Sequence, residues 1–279
     1  MHSRWRRVRA IPDQIEQTTN LLKSIDQRMV SDRWIEIRER CINIERKIDE
    51  LVRFQREDFK GYPDQRYGHL SYSQHGEDMV FIALFELLEI SSPSFLDIGA
   101  NHPVNCNNTA LLRSRCGSRG VNIDANPDAI ELFKRERPED INVNIGVAGK
   151  PGELTFYRFD STSGRNSFSK AAIEAVMSSQ PYYTIQDEII VPVLTLDQVI
   201  DTYLDGQCPD LLSLDAEGMD YEILEAATFR SRPKVLCVET LSGEGDAEKA
   251  MDDLIKSKGF RKYVQMYANA IYLDDSIKI

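Results

Sequence analysis

An apolar run ends in an acid and breaks at once into a glycine turn: Phe95-Leu96-Asp97-Ile98-Gly99-Ala100-Asn101. No other stretch constrains the fold as strongly. Strands buried on both faces read as continuous apolar runs, and they belong to open α/β sheets. Such sheets bind ligands beyond the carboxyl ends of their strands, where a glycine lets backbone approach a ligand closely. A second run, Gly120-Val121-Asn122-Ile123-Asp124, ends in another acid 27 positions after Asp97. Two acid-tipped strands at this interval point to a bound adenosine, with Asp124 on the ribose hydroxyls.

The glycine pattern narrows the ligand. A dinucleotide fingerprint needs G-x-G-x-x-G to seat a pyrophosphate on a helix N-terminus. Here Gly99 stands alone, and residues 100 to 108 hold no glycine. The loop offers no phosphate cradle, and Asp97 repels a pyrophosphate while attracting a cationic amino group. S-adenosylmethionine has that group, a ribose and no phosphate. A nicotinamide dehydrogenase is disfavoured on the same ground.

The 279 residues suffice for one large domain and an appendage. No apolar run approaches the ~20 residues of a membrane helix. The basic start, Arg4 to Arg9, leads into no apolar core, so no secretory signal is expected. Cys41, Cys106, Cys116, Cys208 and Cys237 are scattered, odd in number and without a C-x-x-C pair. That pattern suits a reducing cytoplasm and disfavours a zinc site or a disulfide scaffold. Charge divides unevenly: residues 1 to 70 carry 15 Lys+Arg against 12 Asp+Glu, the remainder 19 against 33. An acidic main body does not favour a nucleic-acid substrate.

Residues 11 to 56 read as helical. Ile11, Ile15, Thr18, Leu22, Ile25 and Met29 repeat at alternating spacings of four and three. After a one-residue slip the repeat resumes through Val30, Trp34, Ile37, Cys41, Ile44, Ile48 and Leu51. A 3.5-residue period builds a coiled-coil seam. The favoured partner is a second copy of the chain, making residues 1–60 an oligomerisation segment; the alternative is packing on the chain's own main body. Gly61-Tyr62-Pro63-Asp64 reads as the linker, and residues 70–279 as one α/β domain.

Strands and helices alternate through that domain, which predicts a mainly parallel sheet with helices on both faces. Helices are expected at 77–90, 109–116, 127–137, 196–203, 219–227 and 246–258. Strands are expected at 94–99, 120–124, 142–147, 210–215 and 234–239, with a terminal hairpin over 260–266 and 270–273. A hairpin-like segment at 153–159, a mobile loop at 160–169 and a short strand at 191–193 complete the reading. Two more runs end in acids, Asp215 and Glu239.

Four segments together resemble the FkbM family of class I, Rossmann-like methyltransferases: Ser73-Gln74-His75-Gly76-Glu77-Asp78, Phe95 to Asn101, Val191 to Asp197, and Leu214-Asp215-Ala216-Glu217-Gly218. Asn101-His102-Pro103, Asn108-Thr109 and Arg137-Pro138 resemble a branch common in polysaccharide gene clusters. The resemblance implies a seven-stranded sheet with the last strand antiparallel. It implies S-adenosylmethionine as cofactor and O-methylation of a hydroxyl on a sugar, glycan or glycosylated metabolite. The cofactor residues it implies are Gln74, Asp78, Asp97, Gly99, Asn101, Asp124, Ala125 and Val147. Asp97 and the Gly99 loop would border the methionine part, Asp124 the ribose, and the stretch around Val147 the adenine; Gln74 and Asp78 would close over it.

Methyl transfer to a hydroxyl requires alignment of the oxygen and removal of its proton. The candidates for the base are Asp215 and Glu217, with His102 third. His75, at a helix start, reads as a surface or capping residue, and Glu239 as a structural acceptor. Two readings stay open beside these. Asp215, Glu217 and Glu239 converge beyond adjacent strands, where carboxylates hold Mg²⁺. The acceptor is alternatively a non-sugar, polyketide-type hydroxyl, or the chain is an inactive cofactor-binding scaffold.

Overall fold

The computed structural model describes residues 71–161, 163–240 and 245–279. The expected helices and seam of residues 11–56 lie outside the described residues. Ser71–Ile279 forms one compact unit. Its elements in chain order are α1 (Glu77–Leu87), β1 (Phe95–Ile98), α2 (Ala110–Cys116), β2 (Gly120–Ile123), α3 (Pro127–Glu136), β3 (Ile141–Val143), β4 (Gly146–Val147) and β5 (Gly152–Arg158). Then follow α4 (Lys170–Ser179), β6 (Asp187–Leu194), α5 (Leu196–Tyr203), β7 (Leu211–Leu214), α6 (Asp220–Ala226), β8 (Val235–Glu239), α7 (Gly245–Ser257), β9 (Phe260–Gln265) and β10 (Asn269–Asp274).

The main sheet has seven strands in the order β3-β2-β1-β7-β8-β10-β9. It is parallel from β3 to β8. The last strand, β10, runs antiparallel to both of its neighbours, as expected. Alternate residues of the central strands serve opposite faces. Leu96, Ile98, Leu212, Leu214, Leu236 and Val238 pack under α5, α6 and α7. Phe95, Leu211, Val235 and Cys237 pack against Phe81, Leu84 and Phe85 of α1 and Leu111 and Leu112 of α2. Apolar side chains on both faces explain why these strands are legible as mainly apolar runs.

One row breaks the apolar rule. In register across the sheet, Asn122, Asp97 and Ser213 stand side by side on the α1–α2 face. They are buried, and neighbouring polar groups engage all three, although Asn122 Oδ1 has no partner among the described residues. Asp97 Oδ2 accepts from Asn107 Nδ2 at 3.1 Å and Thr109 Oγ1 at 3.0 Å. Asn122 Nδ2 donates to Asp140 and Asn142, and Asn108 Nδ2 to Ser213 Oγ. Arg137, 1% exposed, closes this belt. Its guanidinium donates to Thr109 Oγ1 at 2.9 Å, to Asn107 Oδ1 at 2.7 Å and to the Pro103 carbonyl, and lies 4.0 Å from Asp140.

Three expectations need correction. Residues 142–147 are not one strand. Asn144 Nδ2 donates to the carbonyls of Asp124 and Ala125 at 2.9 and 3.0 Å, and the chain leaves the main sheet there. β4 instead joins a second sheet, order β4-β6-β5. The short strand at 191–193 extends over eight residues as β6, paired with all of β5. Pro192 is tolerated because β4 covers only Val193 and Leu194, leaving the rest of β6 an open edge. Residues 170–179 form a helix, α4, which the sequence reading left unassigned; Ser169 Oγ caps it from Ala172 N, and only Ile173 is buried.

Candidate active site

The carboxyl ends of β1, β2, β7 and β8 deliver Gly99, Asp124, Asp215 and Glu239 to one rim of the sheet. The β1 and β7 loops touch through backbone. A Cβ on Gly99 would fall 1.7 Å from the Asp215 carbonyl oxygen, and Gly99 has φ 73°, so only glycine fits. The amides of Gly99 and Ala100 both donate to the Ile123 carbonyl, and Asp215 N donates to that of Ile98. Asp124 braces the next turns: Oδ2 accepts from Asn101 N and Oδ1 from Asn126 N, each at 2.7 Å. Burial lifts the Asp124 pKa to about 6. A carboxylate has about four lone-pair sites, so two remain for outside donors.

Beside this crevice lies a knot of acids. The turn after β7 carries Glu217 at φ 46° and Gly218 at φ 97°. A left-handed glutamate costs about 1 kcal/mol or more and persists only where its surroundings enforce it. Here Asp220, buried at the start of α6, accepts from Ala216 N at 2.9 Å and Gly218 N at 3.3 Å. Burial, then Glu239, Glu217 and Asp220, push the Asp215 pKa well above the usual carboxylate range. Burial and Glu239 raise Glu217 to about 8, with the Arg165 guanidinium pulling the other way. Burial and Asp220 raise Glu239 to about 7. Asp215 Oδ1 is buried without a hydrogen-bond partner among the described residues. Acids crowded this way accommodate a cation, and one that arrives there lowers their mutual repulsion. Among the described residues, no group of three or more His, Cys, Asp or Glu side chains is arranged to hold a metal ion.

The segment between β5 and β6 closes over this rim. Asn126 Nδ2 donates to the Ser161 carbonyl at 2.9 Å, beyond β2. Gly164 approaches Asn101 Nδ2 to within 3.2 Å of where its Cβ would stand. Ser167 pairs with Tyr157, and its hydroxyl donates to the Glu217 carbonyl at 2.8 Å. The expected mobile loop at 160–169 is therefore anchored at both ends of the crevice.

The description Methyltransferase FkbM domain fits residues 97–262, well over half of the chain. The matched span runs from Asp97 into β9 and takes in the whole strand-tip rim. The chain belongs to the FkbM methyltransferase family. No curated protein matches it.

In this FkbM methyltransferase the structure brings together Gly99, Asn101, Asp124, Ala125, Asp215 and Glu217 at the strand-tip rim, and the other expected site residues have settings of their own. Asp97 lies within the buried belt, both holding and held by the loop that leads to α2. Asp78 is buried and fully engaged at the start of α1, accepting from Ser71 Oγ, Tyr72 N and the amide and hydroxyl of Ser73. It organises residues 71–73. Gln74 is exposed, two residues from Tyr72, whose carbonyl accepts from Asn107 N. Val147 turns its side chain into the main core, and Ala125 packs with Phe156 and Val191.

His102 Nδ1 accepts from Val104 N at 3.0 Å and Asn105 N at 2.9 Å. That places the ring proton on Nε2 and leaves no lone pair to receive a substrate proton. His75 stacks on Tyr267 with ring centroids 5.0 Å apart, beside the buried Glu77. Asp220, Asn126 and Ser167 were missed. Asp220 had a readable signal, an acid two residues past a glycine at a helix start; the other two reach partners distant in sequence.

Proposed function

We propose that the chain is an S-adenosylmethionine-dependent O-methyltransferase acting on a sugar hydroxyl. The observation that carries this reading is the knot of carboxylates at the tips of β7 and β8, with Glu239 and Glu217 held near pKa 7 and 8, flush against the Gly99 turn. A general base works best when its pKa lies near the operating pH, and a hydroxyl is the acceptor that needs one. The residues present fit the donor: the partnerless Asp215 oxygen suits a cationic amino or sulfonium group, and the lone pairs left on Asp124 suit ribose hydroxyls. When bound, S-adenosylmethionine supplies a methyl group already activated on a sulfonium.

The chain's own residues then do the rest. Asp124 and Asn101 orient the ribose side of the crevice. Asp215 or Glu217 accepts the proton of the acceptor hydroxyl, and Glu239 holds the neighbouring negative charge that keeps the base strong. His102 is left out of that role, its Nδ1 being spent on backbone. Crowded carboxylates able to accept from several hydroxyls at once support a sugar acceptor. A cytoplasmic location and self-association through residues 11–56 complete the reading. None of the described helices is long and apolar enough to cross a membrane.

Calorimetric titration of the full chain with S-adenosylhomocysteine tests the donor, and methyl transfer to a saccharide panel tests the acceptor. Heat with NADH and none with S-adenosylhomocysteine would remove the reading.

A further inference from the structure

The segment from Phe159 to Gln186, inserted between β5 and β6, carries an aromatic ladder. Phe159 and Tyr183 have ring centroids 5.0 Å apart, and Tyr183 and Tyr182 4.9 Å apart. Phe159 is buried, while Tyr182 is 52% exposed, so the ladder runs outward from the interior. The Arg165 guanidinium lies over the Tyr183 ring at 5.1 Å. Gln180 Oε1 accepts from Arg165 Nη1 at 2.8 Å and also from the Tyr182 hydroxyl, fixing cation and ring together. Two residues after Arg165, Ser167 donates to the Glu217 carbonyl. Cation, aromatic faces and proposed base therefore share one mouth.

The pairing of Arg165 is unusual for this chain. Among the described residues, eight of the ten arginines lie within 4.0 Å of a carboxylate. Arg261 spends its donors on the carbonyls of Asp274 and Ile277. Arg165 is held by a neutral amide and a ring, in a unit rich in acids. A guanidinium fork matches a carboxylate or a phosphate oxygen pair. A tyrosine face carries negative charge density that meets the polarised C–H bonds of a sugar ring.

We propose that Tyr182, Tyr183, Arg165 and Gln180 form an acceptor subsite for a pyranoside bearing an anionic group, carboxylate or phosphate. This rests on the sugar O-methyltransferase reading and adds the charge of the acceptor. The sugar ring lies on Tyr182, Arg165 takes the anion, and the target hydroxyl turns toward Glu217.

The test is ligand-observed saturation-transfer NMR on the full chain, titrating methyl glucuronide, glucose 6-phosphate and methyl glucoside, with S-adenosylhomocysteine in a parallel arm. One or both anionic sugars should bind about tenfold or more tighter than the neutral glucoside, the worth of one charge-assisted hydrogen bond. Which of the two binds tighter separates carboxylate from phosphate recognition. Arg165→Gln should erase the preference while S-adenosylhomocysteine affinity stays unchanged. Tyr182→Ala should weaken all three sugars by about threefold or more. Equal binding of the three sugars to the unmodified chain, or binding of none, overturns the subsite whatever the variants do. Absence of S-adenosylhomocysteine binding instead overturns the donor reading, and the two failures are read from separate arms.

Discussion

Arg137→Met removes the cation that closes the buried belt, and its cost follows from the partners left behind. Asn107 Oδ1 keeps the Thr109 amide and hydroxyl, and Thr109 Oγ1 still reaches Asp97. The Pro103 carbonyl loses its guanidinium partner. The larger loss is electrostatic, because Asp97 and Asp140 are buried and Arg137 offsets the burial of both. Breaking a buried pair on one side costs about 3–5 kcal/mol. For a unit of about 200 residues that is a Tm lower by roughly 10 °C. The pH dependence carries the sign. Burial already holds Asp97 and Asp140 above the usual carboxylate range, and losing Arg137 raises them further. An acid whose folded pKa is raised gives stability that is present at low pH and lost as pH rises through that pKa. The deficit of Arg137→Met should therefore shrink between pH 7 and pH 5. Thermal melts by circular dichroism across that range, with Arg137→Lys beside it, make the measurement. A variant as stable as the parent at pH 7, or a deficit that does not change with pH, would refute the argument.

Asp215→Asn and Glu217→Gln should each lower methyl transfer by about 10²-fold or more while S-adenosylhomocysteine affinity moves little, read by turnover and calorimetry. The same Glu217→Gln should raise the melting temperature of the ligand-free chain at pH 8, because it removes one of several mutually repelling acids; a lower melting temperature counts against the crowding. Turnover should climb between pH 6 and 9 as Glu239, near 7, and Glu217, near 8, lose their protons; a flat profile under rate-limiting chemistry excludes Glu217 as the base. Cofactor affinity should weaken as pH falls through about 6, where Asp124 protonates and trades an acceptor site for a donor; titration at pH 5 and 7.5 reads this. Gly99→Ala should abolish cofactor binding, since its Cβ would meet the Asp215 carbonyl and no side chain there can swing away.

Legibility in the sequence followed the physics of burial. β1, β2, β7 and β8 were visible because both faces are covered, so each is a short, mainly apolar run, with an acid at the tip of β2, β7 and β8. The capped α5 was visible too: Thr195 and Gln198 form a capping box, and the expected bounds match those observed. Other features depend on side-chain contacts that no local pattern encodes. Asn144 looks like any strand residue until its amide is seen bound to the carbonyls of the β2 turn. The setting of Asp97, among Asn107, Thr109 and Arg137, is equally invisible in the sequence. α4 escaped for another reason, since it is short and only Ile173 on its apolar face is buried. At the site, the strand order brought Asp124, Asp215 and Glu217 to the rim as the sequence suggested. The polar atoms of His102 and Asp78 serve nearby backbone, a use composition does not reveal.

The belt beneath the β1 loop and the insertion above the rim are built to different tolerances. Each belt member leans on two or three others across elements distant in sequence, so a substitution there unsettles its companions. The insertion is stitched to the rim by a few hydrogen bonds, two of them accepted by backbone carbonyls, which any residue supplies. A chain made this way can exchange its upper storey while the floor beneath the rim stays as it is.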